Sequence, residues 1–152
     1  MRSQYSKTAI TLGWLGVIPF VFAAIISFSN DSTVKIFSAE LISRYGLAII
    51  IFLGAVQWGI AMTDSNSQSP TRYLWSITPA LIATLIMLIA PSTSLIMVIL
   101  LLITCWVVDM IFHIKSALPK WYVRLRHGLT LMAVCSVIVV TINVSSGAPI
   151  WP

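Results

Sequence analysis

Apolar residues in this chain come in long runs broken by short polar clusters, and they do not alternate with polar residues at a short period. Five runs are long enough to cross a bilayer as helices, which takes about 20 mainly apolar residues. They cover residues 8–28, 44–62, 72–90, 93–115 and 121–143. The clusters between them carry helix-stopping residues: Ser29-Asn30-Asp31, the polar stretch 64–70, and Pro91-Ser92. A span surrounded by lipid satisfies its backbone internally and needs no polar face. The pattern predicts an all-α, single-domain bundle over residues 1–152 with five membrane spans.

Two details modify this frame. Residues 32–42 are more polar than the spans, but Asp31 or Ser32 can cap a helix there. Val34, Phe37 and Leu41 fall on one face, and Glu40 stands four residues before Arg44. The segment reads as an interfacial helical turn leading into the second span. The first run has Arg2 and Lys7 ahead of an apolar core, as a leader peptide does. Its length, its internal Pro19 and the bulky Phe28 near any cleavage point favour a retained span.

Composition agrees with a lipid solvent. Hydrophobic residues make up 59% of the chain and charged residues 9%, against about a quarter charged in soluble domains. Mean hydropathy is +0.98. The net charge of +5 therefore bears on topology and lipid headgroups, and nucleic acid is not an expected partner. With this set of spans, Arg2, Lys7, Arg72, Lys115, Lys120, Arg124 and Arg126 fall on one side, and Lys35 and Arg44 on the other. The positive-inside rule then puts the N-terminus in the cytoplasm and the C-terminus outside. Cys105 and Cys135 lie in different apolar runs and read as small buried hydrophobes. Neither has ligand spacing to His113 or His127, so no metal and no cofactor is expected.

One acid lies inside a span. Asp109 sits in the inner part of the fourth run, and an acid in hydrocarbon calls for a partner. Arg124 and Arg126 enter the first turns of the fifth run, where the helix dipole disfavours cations. A pair between Asp109 and one of these arginines is the economical arrangement. Trp106 and His113 share a helical face with Asp109, and Gln57 and Trp58 reach a similar depth on the second span. The structural reading is a clasp joining spans four and five, with His113 at the interface. The functional reading is a polar pocket of Asp109, Gln57, Arg124, Arg126 and His113, with Trp58, Trp106 and Trp121 nearby. Such a pocket would hold an anionic or quinone-like headgroup. A proton relay through Asp109 and His113 is the third option. Most tryptophans project to the inner half, as an aromatic belt does.

Other features concern packing. Pro19 and Pro79 interrupt spans one and three, so neighbouring helices must satisfy the freed carbonyls. Trp14 precedes Pro19 much as Trp75 precedes Pro79, a faint sign of a repeat. Ala55 and Gly59 form a small-xxx-small pattern expected to pack span two within the bundle. The sequence carries no HExxH, GxSxG or phosphate-loop motif, and an enzyme is not expected.

These residues also resemble a known family. Leu12-Gly13-Trp14-Leu15-Gly16-Val17-Ile18-Pro19-Phe20 resembles the opening block of the family called domain of unknown function 3429. Tyr45-Gly46 and Phe52-Leu53-Gly54-Ala55-Val56-Gln57-Trp58-Gly59 are similar to its second block. Pro79, Asp109, Pro119-Lys120-Trp121-Tyr122 and Arg124-Leu125-Arg126 match the rest. The resemblance implies a small bacterial inner-membrane protein with eukaryotic relatives, one of them a mitochondrial transmembrane protein. It implies no activity. The second block of the family often reads Gly-Gly-x-His-Trp-Gly, where this chain has Ala55 and Gln57. A hydrogen-bonding role survives that change, whereas a metal- or haem-binding one does not. The expectation is a non-enzymatic accessory or assembly component of a larger membrane complex, surrounded by lipid. The alternative is a binder or carrier of a small molecule, lipid or quinone-like ligand at the Asp109 cluster.

Overall fold

The computed structural model describes residues 2–63, 69–89, 94–115 and 120–146. Among these, the chain forms α1 (Arg2–Leu15), α2 (Ile18–Ile26), α3 (Ser32–Thr63), α4 (Ser69–Ile89), α5 (Ser94–Lys115) and α6 (Lys120–Ser145). α1 and α2 together make one candidate span, Lys7–Ile26, and α3 to α6 supply the others, five in all. The protein is an all-helical membrane-spanning bundle. The expected turns at 64–68 and 90–93, together with Pro119 and Trp151, lie outside the described residues.

The first span breaks where its sequence allows. α1 ends at Leu15, Gly16 and Val17 form a turn, and Pro19 sits in the first turn of α2, where its missing N–H costs no helix bond. The carbonyl of Gly16 accepts a hydrogen bond from the Tyr45 hydroxyl on α3 at 2.9 Å. The Tyr45 ring meets Phe20 edge-on at 5.1 Å. A neighbouring helix thus satisfies the break, as a proline in a membrane span requires. Pro79 behaves differently: α4 runs through it without interruption. The two prolines do not share a geometry: Pro19 follows a break and Pro79 lies inside a helix.

Residues 32–42 are helical and run straight into the second span, as their sequence predicts. α3 is one helix of 32 residues, about 48 Å at 1.5 Å per residue, well beyond the roughly 30 Å of hydrocarbon. Asp31 caps it, its carboxylate accepting from the Thr33 N–H at 2.8 Å. Arg44 pairs with Glu40 at 3.1 Å on the exposed side. The buried face of this extension is Ser38 and Ile42, whereas Phe37 faces outward. Leu41 is half-buried and packs against the core, so of the expected face it is Phe37 that turns outward.

Close approach of the helices is set at two glycines of α3. A Cβ at Gly46 would lie 2.6 Å from Val98 on α5. One at Gly54 would run into the Ser76 carbonyl on α4. Ala55 and Gly59, the expected packing pair, face outward instead, and a Cβ on Gly59 would touch nothing. The core is built from Phe20, Ile42, Ile50, Val98, Leu102 and Val137 with their neighbours. Leucines and isoleucines such as Leu74, Leu88 and Ile114 point outward, as they do when the surroundings are lipid. Cys105 is in the core, but Cys135 is on the outer face of α6 and is not the buried thiol its sequence context suggests.

Candidate functional site

Three helices bring polar residues together inside the bundle, and in each the residue occupies a position of an apolar seam. On α3 the buried positions are Ile50, Gly54, Gln57 and Ala61. On α5 they are Val98, Leu102, Cys105, Asp109 and Phe112. On α6 they are Arg126, Thr130, Ala133, Val137, Val140 and Val144. Alternating steps of three and four residues keep each set on one face. Gln57, Asp109 and Arg126 are buried because their seams are, with exposures of 1%, 2% and 5%.

Each carboxylate oxygen of Asp109 has a donor. Arg126 Nε donates to Oδ2 at 2.6 Å, and Gln57 Nε2 donates to Oδ1 at 2.6 Å. Arg126 Nη1 donates to the Thr130 hydroxyl one turn along α6 at 3.0 Å, which fixes the guanidinium against its own helix. The ion pair joins α5 to α6, and Gln57 ties α3 to both. Two polar atoms in the cluster, Arg126 Nη2 and Gln57 Oε1, are buried without a hydrogen-bond partner. Buried polar atoms are normally satisfied.

Beside this cluster lies a cavity of about 260 Å³. Its walls come from α1, α2, α3, α5 and α6, and it includes Phe20, Leu53, Leu102, Leu129 and Ala133. Arg126 and Thr130 are the polar side chains in that wall. The first span thus contributes to a space that sequence reasoning had placed among spans two, four and five alone.

The other expected members sit elsewhere. Arg124 is exposed, since a residue two positions from Arg126 lies on the opposite side of the helix. Trp106 donates from Nε1 to Nδ1 of His127 at 2.8 Å, linking α5 to α6 apart from the acid. His113 is half-buried, with no partner at Nδ1. Trp58 faces outward and meets Tyr73 edge-on at 5.0 Å, and Trp121 packs on Tyr122 at 6.1 Å. Among the described residues, no three His, Cys, Asp or Glu side chains are grouped as metal ligands.

Sequence reasoning missed three participants. Thr130 accepts from Arg126. His127 accepts from Trp106 on the neighbouring helix. Arg72 on α4 is fully buried, with its guanidinium carbon 4.9 Å from the centre of the Phe112 ring, one turn beyond Asp109. Its signal was visible as an arginine at the start of an apolar run, but it was counted as an interfacial charge.

Comparisons with known proteins agree with the fold. No solved structure matches the chain. Transmembrane protein 69 of Xenopus tropicalis is 30% identical over 142 residues, covering 91% of this chain and 55% of that protein. The chain spans about half the length of this curated relative. The model of the family described as Protein of unknown function (DUF3429) matches residues 5–142, and the chain belongs to that family.

Proposed function

We propose that this protein is a non-enzymatic component of the bacterial inner membrane that binds a membrane-soluble small molecule in the cavity beside Arg126. One observation carries the reading: an apolar cavity of about 260 Å³ has Arg126 and Thr130 as the polar residues of its wall. Ligand sites are mostly apolar with a few placed polar groups, and their volumes begin near 300 Å³. Asp109 has the supporting role of holding the arginine in place and clasping α5 to α6. The test is purification in mild detergent followed by mass spectrometry of what co-purifies. A defined small molecule should accompany the wild-type chain and be lost from Ala133→Leu, which fills the cavity and leaves the ion pair intact. The same molecule bound equally by the filled variant would refute the reading.

A second reading, an accessory component packed on a larger membrane complex, is favoured by the outward-facing Ala55 and Gly59 on α3. Small residues on a lipid-facing surface admit close approach of another helix. Gly59→Leu should then release a partner that comigrates with the wild-type chain. Isolated protein from both chains would count against it.

A further inference from the structure

The exposed cations at the start of α6 take no part in the buried cluster or the cavity. Lys120 and Arg124 stand four residues apart on one exposed face of that helix. No acid among the described residues is left for them. Asp109 is paired with Arg126, and Glu40 with Arg44. Asp31 caps α3 at the opposite end of the bundle.

α1 adds a third cation at the same level. A Cβ at Gly128 would lie 3.1 Å from the Trp14 ring, and Gly13 packs on Leu125 and Leu129. The first and fifth spans cross the membrane in the same direction, so Lys7, seven residues before Trp14, comes level with Trp121. Seven residues are almost two whole turns, and the exposed Lys7 therefore leaves α1 on the same side as Trp14. Lys7, Lys120 and Arg124 border one groove, at the end where both helices begin. From there the groove runs toward the middle of the membrane over Gly128 and the exposed Leu131. Trp14 forms one edge, and the Trp106–His127 pair forms the other. An indole only donates, so His127 Nδ1 is the acceptor in that pair and the neutral ring keeps its proton on Nε2. His127 is exposed, about 4.5 Å further along the axis than Arg124.

We propose that this groove holds one anionic phospholipid. Its phosphate sits among Arg124, Lys120 and Lys7, and an acyl chain lies along Gly128 and Leu131 between the two tryptophans. His127 Nε2 is placed to donate to an ester carbonyl, which lies deeper than the phosphate. Charge complementarity selects this occupant. Three cations with no acid left for them stand at a membrane boundary, where each basic residue strengthens binding to anionic lipid by about fivefold. The groove lies on the other side of the α1–α6 contact from the cavity and does not depend on what the cavity holds.

The experiment uses the full chain in an uncharged detergent and three probes: dioleoyl phosphatidylglycerol, dioleoyl phosphatidylcholine and inorganic phosphate. Dissociation constants come from the rise of the unfolding midpoint with probe concentration. Phosphatidylglycerol should bind about tenfold or more tightly than phosphatidylcholine, and inorganic phosphate should not move the midpoint. The double variant Lys120→Gln with Arg124→Gln should weaken phosphatidylglycerol by about 25-fold, and adding Lys7→Gln by about fivefold more. Lys35→Gln with Arg44→Gln removes the same charge at the opposite end, beyond the range of screened attraction, and should leave the affinity within about twofold. The substituted groups of the groove are exposed, so the midpoint without lipid should stay that of the wild type. Equal affinity for the two phospholipids, or an equal loss in the two double variants, would overturn the proposal. So would inorganic phosphate acting as strongly as the lipid. A dimer in detergent that is indifferent to lipid and is split by Lys120→Gln with Arg124→Gln would assign the face to a second copy instead.

Discussion

Asp109 is held from two sides, by Arg126 and by Gln57, in a place where neither ion could find water. Breaking a buried pair by removing one partner typically costs about 3–5 kcal/mol, because the remaining charge is uncompensated. Asp109→Asn should therefore lower the thermal midpoint in detergent sharply. The double variant Asp109→Leu with Arg126→Leu should recover much of the loss, since an apolar pair of similar volume carries no desolvation cost. Gly54 is the other critical residue, because a Cβ there meets the backbone of Ser76, which has no rotamer to move. Gly54→Ala should cost about 1–3 kcal/mol through overpacking, read from the same melting curve. Gly59→Ala, with open space beside it, should instead raise the midpoint slightly, because alanine is the better helix former.

At the scale of elements, the break between α1 and α2 and the unbroken course of α4 come from the surroundings of Pro19 and Pro79. Pro19 follows the turn at Gly16 and Val17, and the Gly16 carbonyl has the Tyr45 hydroxyl as donor. Tyr45→Phe removes that donor and keeps the ring contact with Phe20. The expected loss is about 1 kcal/mol, with increased hydrogen exchange confined to the turn at residues 16–17. Unchanged exchange there would mean the hydroxyl is not what stabilises the break. Helix positions were legible in the sequence to within a few residues, because span length is set by bilayer thickness and ends fall at Pro, Ser, Asn and Asp. Residues 32–42 read as helix leading into the second span, and α3 runs through them, but that Ser38 and Ile42 turn inward was not legible.

For the whole molecule, the basic residues predict orientation, and the structure alters which of them count. Arg72 and Arg126 are buried in the bundle, so Arg2, Lys7, Lys115, Lys120 and Arg124 carry the asymmetry against Lys35 and Arg44. The excess survives. A reporter fused after the C-terminus should report an outside location, and one fused into the stretch at 64–68 an inside one. Charge reversal of Lys7, Lys120 and Arg124 together should weaken or invert that result.

The sequence by itself determined the solvent, the membrane spans, their number and the need of Asp109 for a partner. Each follows from composition, segment length or the cost of a charge in hydrocarbon, and none depends on which way a helix faces. Facing was decided by tertiary structure. In a helix apolar all round, Trp106, Asp109 and His113 share a face on paper, and nothing in their types shows where the seam runs. Packing chose the seam through Leu102, Cys105, Asp109 and Phe112. It thereby selected Arg126 over Arg124, turned Trp58 outward and left a cavity against the first span. Lipid accepts any apolar face, so only contact between helices could settle which residues meet.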